Sequence, residues 1–347
     1  MAHRRLTRMN PGSGIWVIGA GAVGGITAAL MTARGIRVTL VCKDPAQAEI
    51  ISRNGIRVFG HCGDHRVRLR AVGNLDEIGD RVDTVFIATK AHQVNQVARQ
   101  IVPLLRATSR VVSMQNGIVE EELSAIVGPD RTVGCVVKFG ATLHEPGVVE
   151  MTSGGRFILG YTDRPADGTL VEIAGILGCV APAGVTDHIM SELYSKLILN
   201  ACTSTLGAIS GLTLGSLLRK KRARQLFIVV AGEAMQVAGA MHLEVSPFTG
   251  RVKYQTLLHM PPFLQHFFIR LIGEKYKKLR SSSLRALERG RNTEVDFLNG
   301  YIVKKGKECG VETPVNGRLV HMVHEIENSR RTITPLNLED GLLVEHL

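Results

Sequence analysis

The chain has 347 residues, 45% hydrophobic and 21% charged, and its 42 Lys and Arg against 31 Asp and Glu leave a net charge of +11. This length exceeds what one hydrophobic core usually serves and points to two domains. No apolar run approaches a membrane span, and six scattered cysteines without CxxC or His–Cys clustering argue against disulfides and a metal site and fit reduced thiols in a cytoplasmic protein.

The excess positive charge suits an anionic cofactor or an acidic substrate. Its dispersion, with only 5% aromatic residues, speaks against a nucleic-acid module.

Residues 1–13 read as a basic, polar tail without the apolar segment of a secretory signal. An apolar strand, Ile15 to Ile18, then runs into Gly19-Ala20-Gly21-Ala22-Val23-Gly24, a helix, and a second strand, Val38 to Val41. Strand, glycines, helix and strand in about 30 residues is the dinucleotide-binding arrangement. Gly19 permits the tight turn, Gly21 lets backbone amides approach a pyrophosphate, and Gly24 lets the helix pack closely. NAD-binding versions place an acidic residue at the end of the second strand to hold the ribose 2′-hydroxyl. Here that strand ends in Cys42-Lys43, and a cation suits the 2′-phosphate of NADP(H); Asp44, one residue on, keeps NAD open.

Strand–helix alternation continues. Val82 to Ala88 ends in Thr89-Lys90, Arg110 to Met114 ends in Gln115-Asn116-Gly117, and Thr132 to Val137 follows. The expected fold class is α/β, an N-terminal Rossmann-type doubly wound parallel sheet over residues 14–187. Ligands of such sheets bind beyond the C-terminal strand ends, which makes Lys90 and Asn116 cofactor or substrate candidates, the alternative being polar loop residues. Val148 to Tyr161 reads as a hairpin at the sheet edge. From about Ile189 helical periodicity takes over, giving an all-helical domain over 188–330, with 331–347 as a tail.

In the helical part Glu192, Lys196, Asn200 and Ser204 recur every fourth residue on one face of a mostly apolar helix. Either this is a polar stripe facing a site, or Glu192 and Lys196 form an exposed pair. A second constellation runs from Ser281-Ser282-Ser283 to Thr293-Glu294. Glu294 opens an apolar helix and either points into a cleft or supplies the negative charge favoured in a first helical turn.

In order along the chain, GAGAVG (19–24), TKAHQ (89–93), QNG (115–117), Pro146-Gly147, SKLILN (195–200) and TEVDFLNG (293–300) resemble the ketopantoate reductase (2-dehydropantoate 2-reductase) family over residues 14–325. The resemblance implies an NADPH-dependent reduction of a 2-oxo acid held between the two domains. In it Lys196 would be the general acid and Glu294 would hold Lys196 or a ribose hydroxyl. Asn116 would bond near the nicotinamide and the substrate, Lys90 would lie along the cofactor, and Asn200 and Ser282 would bind the substrate. The pattern departs where Ser204, also in the substrate stripe, and Leu214 stand for asparagines of the family, which leaves a related 2-oxo acid open as substrate.

Residues 245–280 look like an insertion in that family's pattern. Packing on its own domain, a lid, a homodimer contact and a membrane-surface helix are its open readings. A different dehydrogenase and a non-catalytic NADP(H) sensor compete with the reductase. The SKLILN and TEVDFLNG motifs argue against the first, and the joint presence of Lys196 and Glu294 argues against the second.

Overall fold

A computed structural model of the protein describes residues 14–78, 81–248, 252–275 and 277–346; the expected N-terminal tail, 1–13, lies outside them. The chain divides into two compact units. The first holds residues up to Gln115 and Val119–Met190, the second Asn116–Ile118 and Ser191 onward.

The first unit is built from β1 (Ile15–Ile18), α1 (Ala22–Ala33), β2 (Val38–Val41), α2 (Pro45–Asn54), β3 (Ile56–Gly60), β4 (His65–Val67), β5 (Arg70–Val72), β6 (Val82–Ile87), α3 (Val94–Ile101), β7 (Leu105–Ser113), α4 (Glu120–Val127), β8 (Thr132–Val137), β9 (Gly140–Glu145), β10 (Val148–Ser153), β11 (Phe157–Gly160), α5 (Gly168–Leu177) and β12 (Ala183–Val185). Its main sheet has the order β12-β11-β8-β7-β6-β1-β2-β5. From β5 to β8 all neighbours are parallel, and β11 is antiparallel to β8. β1, β2 and β8 are buried along their whole length, as strands covered on both faces must be, which is why they read as continuous apolar runs.

A second sheet, β4-β3-β10-β9, sits on the other side of α1. That explains why α1 is buried from Gly24 to Met31 without a polar face. It also corrects the expected hairpin. β10 pairs with β3 and β9, whereas β11 pairs with β8 and β12, so Val148 to Tyr161 crosses between two sheets. Gly155 makes the crossing, with room for a Cβ blocked by the Lys138 carbonyl at 2.1 Å.

Within this unit Glu120 is a buried carboxylate, 1% exposed, at the start of α4. Its oxygens accept from the Ser113 hydroxyl and from the Val119 amide, 2.9 Å away. Burial raises its pKa against the pull of those donors.

The second unit is helical: α6 (Ile189–Asn200), α7 (Leu206–Ser210), α8 (Leu214–Arg219), α9 (Lys221–Ala240), α10 (Tyr254–Leu258), α11 (Pro262–Lys275), α12 (Ser282–Glu288), α13 (Asn299–Cys309), α14 (Pro314–Glu327) and α15 (Gly341–Val344). Between α6 and α7 the helix widens into one π turn, Ala201–Thr205. Such a turn displaces carbonyls from their usual donors and recurs at functional sites.

A chain of buried side chains meets it from outside. The Thr205 hydroxyl donates to Asn299 Oδ1. Asn299 Nδ2 donates to the Ala201 carbonyl (3.4 Å) and to Asn316 Oδ1 (2.9 Å), and Asn316 Nδ2 donates to Glu233 Oε2 (2.6 Å). Glu233 also accepts the Val315 and Asn316 amides, both at 2.9 Å, so a carboxylate of α9 caps the N-terminus of α14, where Thr313 makes no side-chain cap.

The 245–280 segment both joins this core and leaves it. Tyr254, 1% exposed, donates to the Ser195 carbonyl at 2.8 Å. α11 buries Ile269 and Gly273 against α8 and α9 but leaves Phe263, Phe267 and Leu271 on an exposed stripe.

The expected tail is folded. Leu338 and Leu343 are at most 1% exposed, Asn337 Nδ2 donates to the Ile209 carbonyl at 2.8 Å, and Arg318 pairs with Asp340 at 2.7 Å. Its few apolar residues are too short a run to show periodicity in sequence, yet they close one end of the helical core. None of the six cysteines forms a disulfide. No described helix is long and apolar enough to cross a membrane.

Removing the Glu233 carboxylate would strand two backbone amides and the Asn316 amide in the core. Glu233→Ala is expected to destabilise the protein by about 3 kcal/mol in urea unfolding. A loss below about 1 kcal/mol would mean that the chain from Thr205 to Glu233 adds nothing beyond ordinary hydrogen bonds.

Candidate active site

In the first unit β1 has β2 on one side and β6 on the other, so the chain order reverses at its C-terminal end. Gly19 stands there with φ +112°, and a Cβ on it would meet the Ala88 and Thr89 backbones at 2.8 Å. A Cβ on Gly24 would lie 2.0 Å from the Gly19 carbonyl oxygen, so the helix rests directly on the turn.

Gly21 is the N-cap of α1. Among the described residues beyond its chain neighbours and its own helix backbone, no atom lies within 4 Å of where its Cβ would be; no side chain caps it, and the first turn carries no acidic residue. A positive helix end uncovered by side chains is what a pyrophosphate needs, and the residues present fit that group. Ala20, Ala22 and Val23 complete the turn, and Gln47 Nε2 fastens it by donating to the Ala20 carbonyl at 3.0 Å.

Lys43 is exposed just past β2. Asp44 is committed elsewhere, its Oδ1 accepting from the Ala46 amide at 2.9 Å to cap α2. Lys90 is exposed past the end of β6, at the N-cap of a short 3₁₀ turn. Gln115, 5% exposed, donates through Nε2 to the Ile87 (2.7 Å) and Thr89 (3.2 Å) carbonyls. It thereby fastens the chain after β6 to the chain after β7, a role its place in the QNG motif did not disclose.

Asn116 falls in the second unit. The reason is Gly117, whose φ of +90° turns its backbone against Phe297; a Cβ there would lie 2.4 Å from the Phe297 carbonyl oxygen. The QNG loop and the TEVDFLNG segment, about 180 residues apart in sequence, therefore touch three residues beyond Glu294. Glu294 is 6% exposed. It does not open the long helix directly but precedes a 3₁₀ turn, Val295–Phe297, with α13 starting at Asn299. Lys196 and Asn200 follow one another by a turn on α6, both half-buried.

Ser204 lies inside the π turn, 6% exposed, and its hydroxyl meets that of Ser283 at 3.0 Å. Ser281 caps α12 at the Leu284 amide and donates to the Ser204 carbonyl, both at 3.0 Å. Ser282 stands between them, half-buried, at the first position of α12. Of the three serines, then, those flanking Ser282 hold Ser204. Leu214 is 8% exposed, and its amide donates to the Leu279 carbonyl at 2.8 Å, under the end of the 245–280 segment.

Set beside known proteins, residues 15–164 match the family model described as ketopantoate reductase PanE/ApbA, and residues 188–327 match its C-terminal counterpart. A 2-dehydropantoate 2-reductase of Archaeoglobus fulgidus is 28% identical over 90% of this chain and 98% of its own. The structure of a PanE/ApbA family ketopantoate reductase from Ralstonia eutropha JMP134 is 26% identical, with a TM-score of 0.77 over 91% of this chain and 99% of that one. D-mandelate dehydrogenase, in a ternary structure with NADH and anilino(oxo)acetate, shares the fold at 23% identity and a TM-score of 0.79, over 91% of this chain and 99% of that one.

A methyl group at Gly24 would have to push α1 off the turn. Gly24→Ala is expected to weaken dinucleotide binding at least about tenfold and to destabilise the protein by roughly 2 kcal/mol, read by fluorescence titration and urea unfolding. Wild-type affinity in a fully folded variant would remove the turn from the cofactor site.

Proposed function

The chain belongs to the ketopantoate reductase PanE/ApbA family of oxidoreductases, and from that premise we propose that it reduces a 2-oxo acid to the 2-hydroxy acid with NADPH, 2-dehydropantoate being the first candidate. The cofactor's contribution is the hydride that the carbonyl carbon accepts. Gly19 to Gly24 and the N-terminus of α1 hold the pyrophosphate, Lys43 the 2′-phosphate, and Lys90 lies along the dinucleotide.

Lys196 donates a proton to the carbonyl oxygen as the C=O bond opens. The new O–H bond takes the proton of the lysine N–H, which breaks, the new C–H bond takes the hydride that the reduced cofactor would give up from its own C–H, and solvent reprotonates the amine. An oxygen gaining negative charge away from bulk water is stabilised by a cation placed beside it, which a lysine supplies before it gives up the proton. Glu294 holds Lys196 or a ribose hydroxyl, Asn116 bonds near the nicotinamide and the substrate, and Asn200 and Ser282 take the substrate's polar groups.

The observation that carries this reading is the contact of the Asn116–Gly117 loop with the turn bearing buried Glu294, in the same unit as Lys196 and Asn200. NADPH is favoured over NADH by the exposed Lys43 and by the commitment of Asp44 to capping α2. A related 2-oxo acid is the second reading, supported by Ser204 spending its hydroxyl on Ser283.

Lys196→Ala is expected to lower kcat about a thousandfold while NADPH still binds, followed by NADPH absorbance against a panel of 2-oxo acids that includes 2-dehydropantoate. Turnover of another acid with 2-dehydropantoate poor would move the substrate to the second reading. No turnover of any, with NADPH bound, would make the protein a dinucleotide sensor.

Lys43→Glu is expected to cut the NADPH-to-NADH preference about tenfold or more. An unchanged ratio of the two dissociation constants would sink the assignment of Lys43 to the 2′-phosphate.

A further inference from the structure

Two side chains one turn apart on α14 tie down both ends of the segment that carries Glu294. Glu327, whose side chain is 9% exposed, accepts the Thr293 amide through Oε1 at 2.7 Å. Its other oxygen, Oε2, faces His324 Nδ1 at 2.8 Å, and His324 Nε2 faces Asp296 Oδ1 at 2.9 Å. Glu294 stands between the two tied residues, Thr293 and Asp296. Inside the segment the Thr293 hydroxyl accepts the Val295 amide (3.2 Å), and the Glu294 carbonyl accepts the Phe297 amide (3.0 Å). These local bonds shape the turn. The ties to α14 decide where it sits.

We propose that His324 and Glu327 form a two-point clamp that positions Glu294, and that the clamp is closed while His324 is an imidazolium. The chemistry of the ring requires this. Both nitrogens face carboxylate oxygens, and only the protonated ring has two N–H groups to donate; a neutral ring would turn a lone pair towards Asp296 or Glu327 and lose one tie.

The charged groups facing the ring are Asp296 from the turn and Glu327 from its own helix. His321, Glu325, Arg330 and Arg331 line the hollow beside it, and Glu325 is taken up by Arg318, His321 and Arg331. Partial burial pulls the pKa of His324 down, but the bonds to Glu327 and Asp296, and their charges, outweigh it and raise the pKa above the ordinary histidine value. A raised folded-state value means that the stabilisation is fully present below the unfolded pKa of about 6.5 and is lost as pH rises through the higher folded value. The clamp thus loosens on the alkaline side.

The inference rests on the role given above to Glu294, and His324 and Glu327 are positioning residues in it. The test is His324→Gln, with Asp296→Asn as a second variant at an exposed position should the first fail to fold. Hydrogen exchange of the amides of Thr293, Val295 and Phe297 is expected to quicken in His324→Gln at pH 6. Wild-type exchange should approach the variant's rate at alkaline pH. NADPH affinity is expected within about twofold of wild type and kcat about tenfold lower near pH 6.5, and the step that the titration of His324 is expected to add to the wild-type kcat–pH profile should be missing, leaving only the limb that Lys196 brings.

Exchange in both variants equal to wild type at pH 6, or a kcat–pH profile of His324→Gln with the same shape as that of wild type, would overturn the clamp. Failure of the parent reading is seen separately. Glu294→Gln with wild-type kcat would deny Glu294 its role, while the exchange data would still decide whether the segment is clamped.

Discussion

A helix that opens into a π turn leaves backbone carbonyls short of donors, and at Ala201–Thr205 the shortage is met from three other helices. Asn299 reaches the Ala201 carbonyl and the Thr205 hydroxyl, Asn316 holds Asn299, and Glu233 holds Asn316 while capping α14. Both asparagines are 0% exposed. In so dry a setting each bond is strong and each broken one costly, so the four helices have a single mutually satisfied arrangement. The helix that carries Lys196 and Asn200 is the one that opens, and the motif that carries Glu294 also carries Asn299. The chain of amides therefore sets the spacing between the two parts of the candidate site.

The glycine turn of the first unit, the candidate dinucleotide site, rests on a different constraint, the exclusion of volume. Gly24 on the Gly19 carbonyl, and Gly19 on Ala88 and Thr89, bring a helix end, a strand end and a loop closer than any side chain would allow. The outcome is a positive helix terminus covered by neither a capping side chain nor an acidic first-turn residue. Backbone geometry shapes this turn of the first unit, whereas side-chain hydrogen bonds hold the candidate residues of the helical unit.

The two positions at which the family's pattern is broken are both bound into the helical unit. Ser204 is drawn into a bond with Ser283 and supported by Ser281, and Leu214 is covered by the end of the 245–280 segment. That segment is bound into the core next to the lysine through Tyr254 and the Ser195 carbonyl. Packing on its own domain thus accounts for part of it, whereas the Phe263, Phe267 and Leu271 stripe stays exposed.

The fold class and the glycine turn were legible because their signals are local. β1, the glycines, α1 and β2 span residues 15–41, and Gly24 meets a residue five positions away. The strands of the main sheet were legible as apolar runs, but alternation tells that a strand exists and not which sheet it joins; hence β10 and β11 were read as one hairpin. In the helical unit the fourfold spacing singled out Lys196, Asn200 and Ser204, and the motif at 293–300 singled out Glu294. The sequence had no means of disclosing which groups Asn299, Asn316, Glu233, Ser283 and His324 bond across the unit. Thr205 and Asn299 are 94 residues apart, Glu233 and Asn316 83, and Ser204 and Ser283 79. A periodic pattern records which face of an element is buried. Which residue it is buried against depends on how the chain returns, and that is decided only when the core closes around hydrogen bonds that have no partner in water's absence except one another.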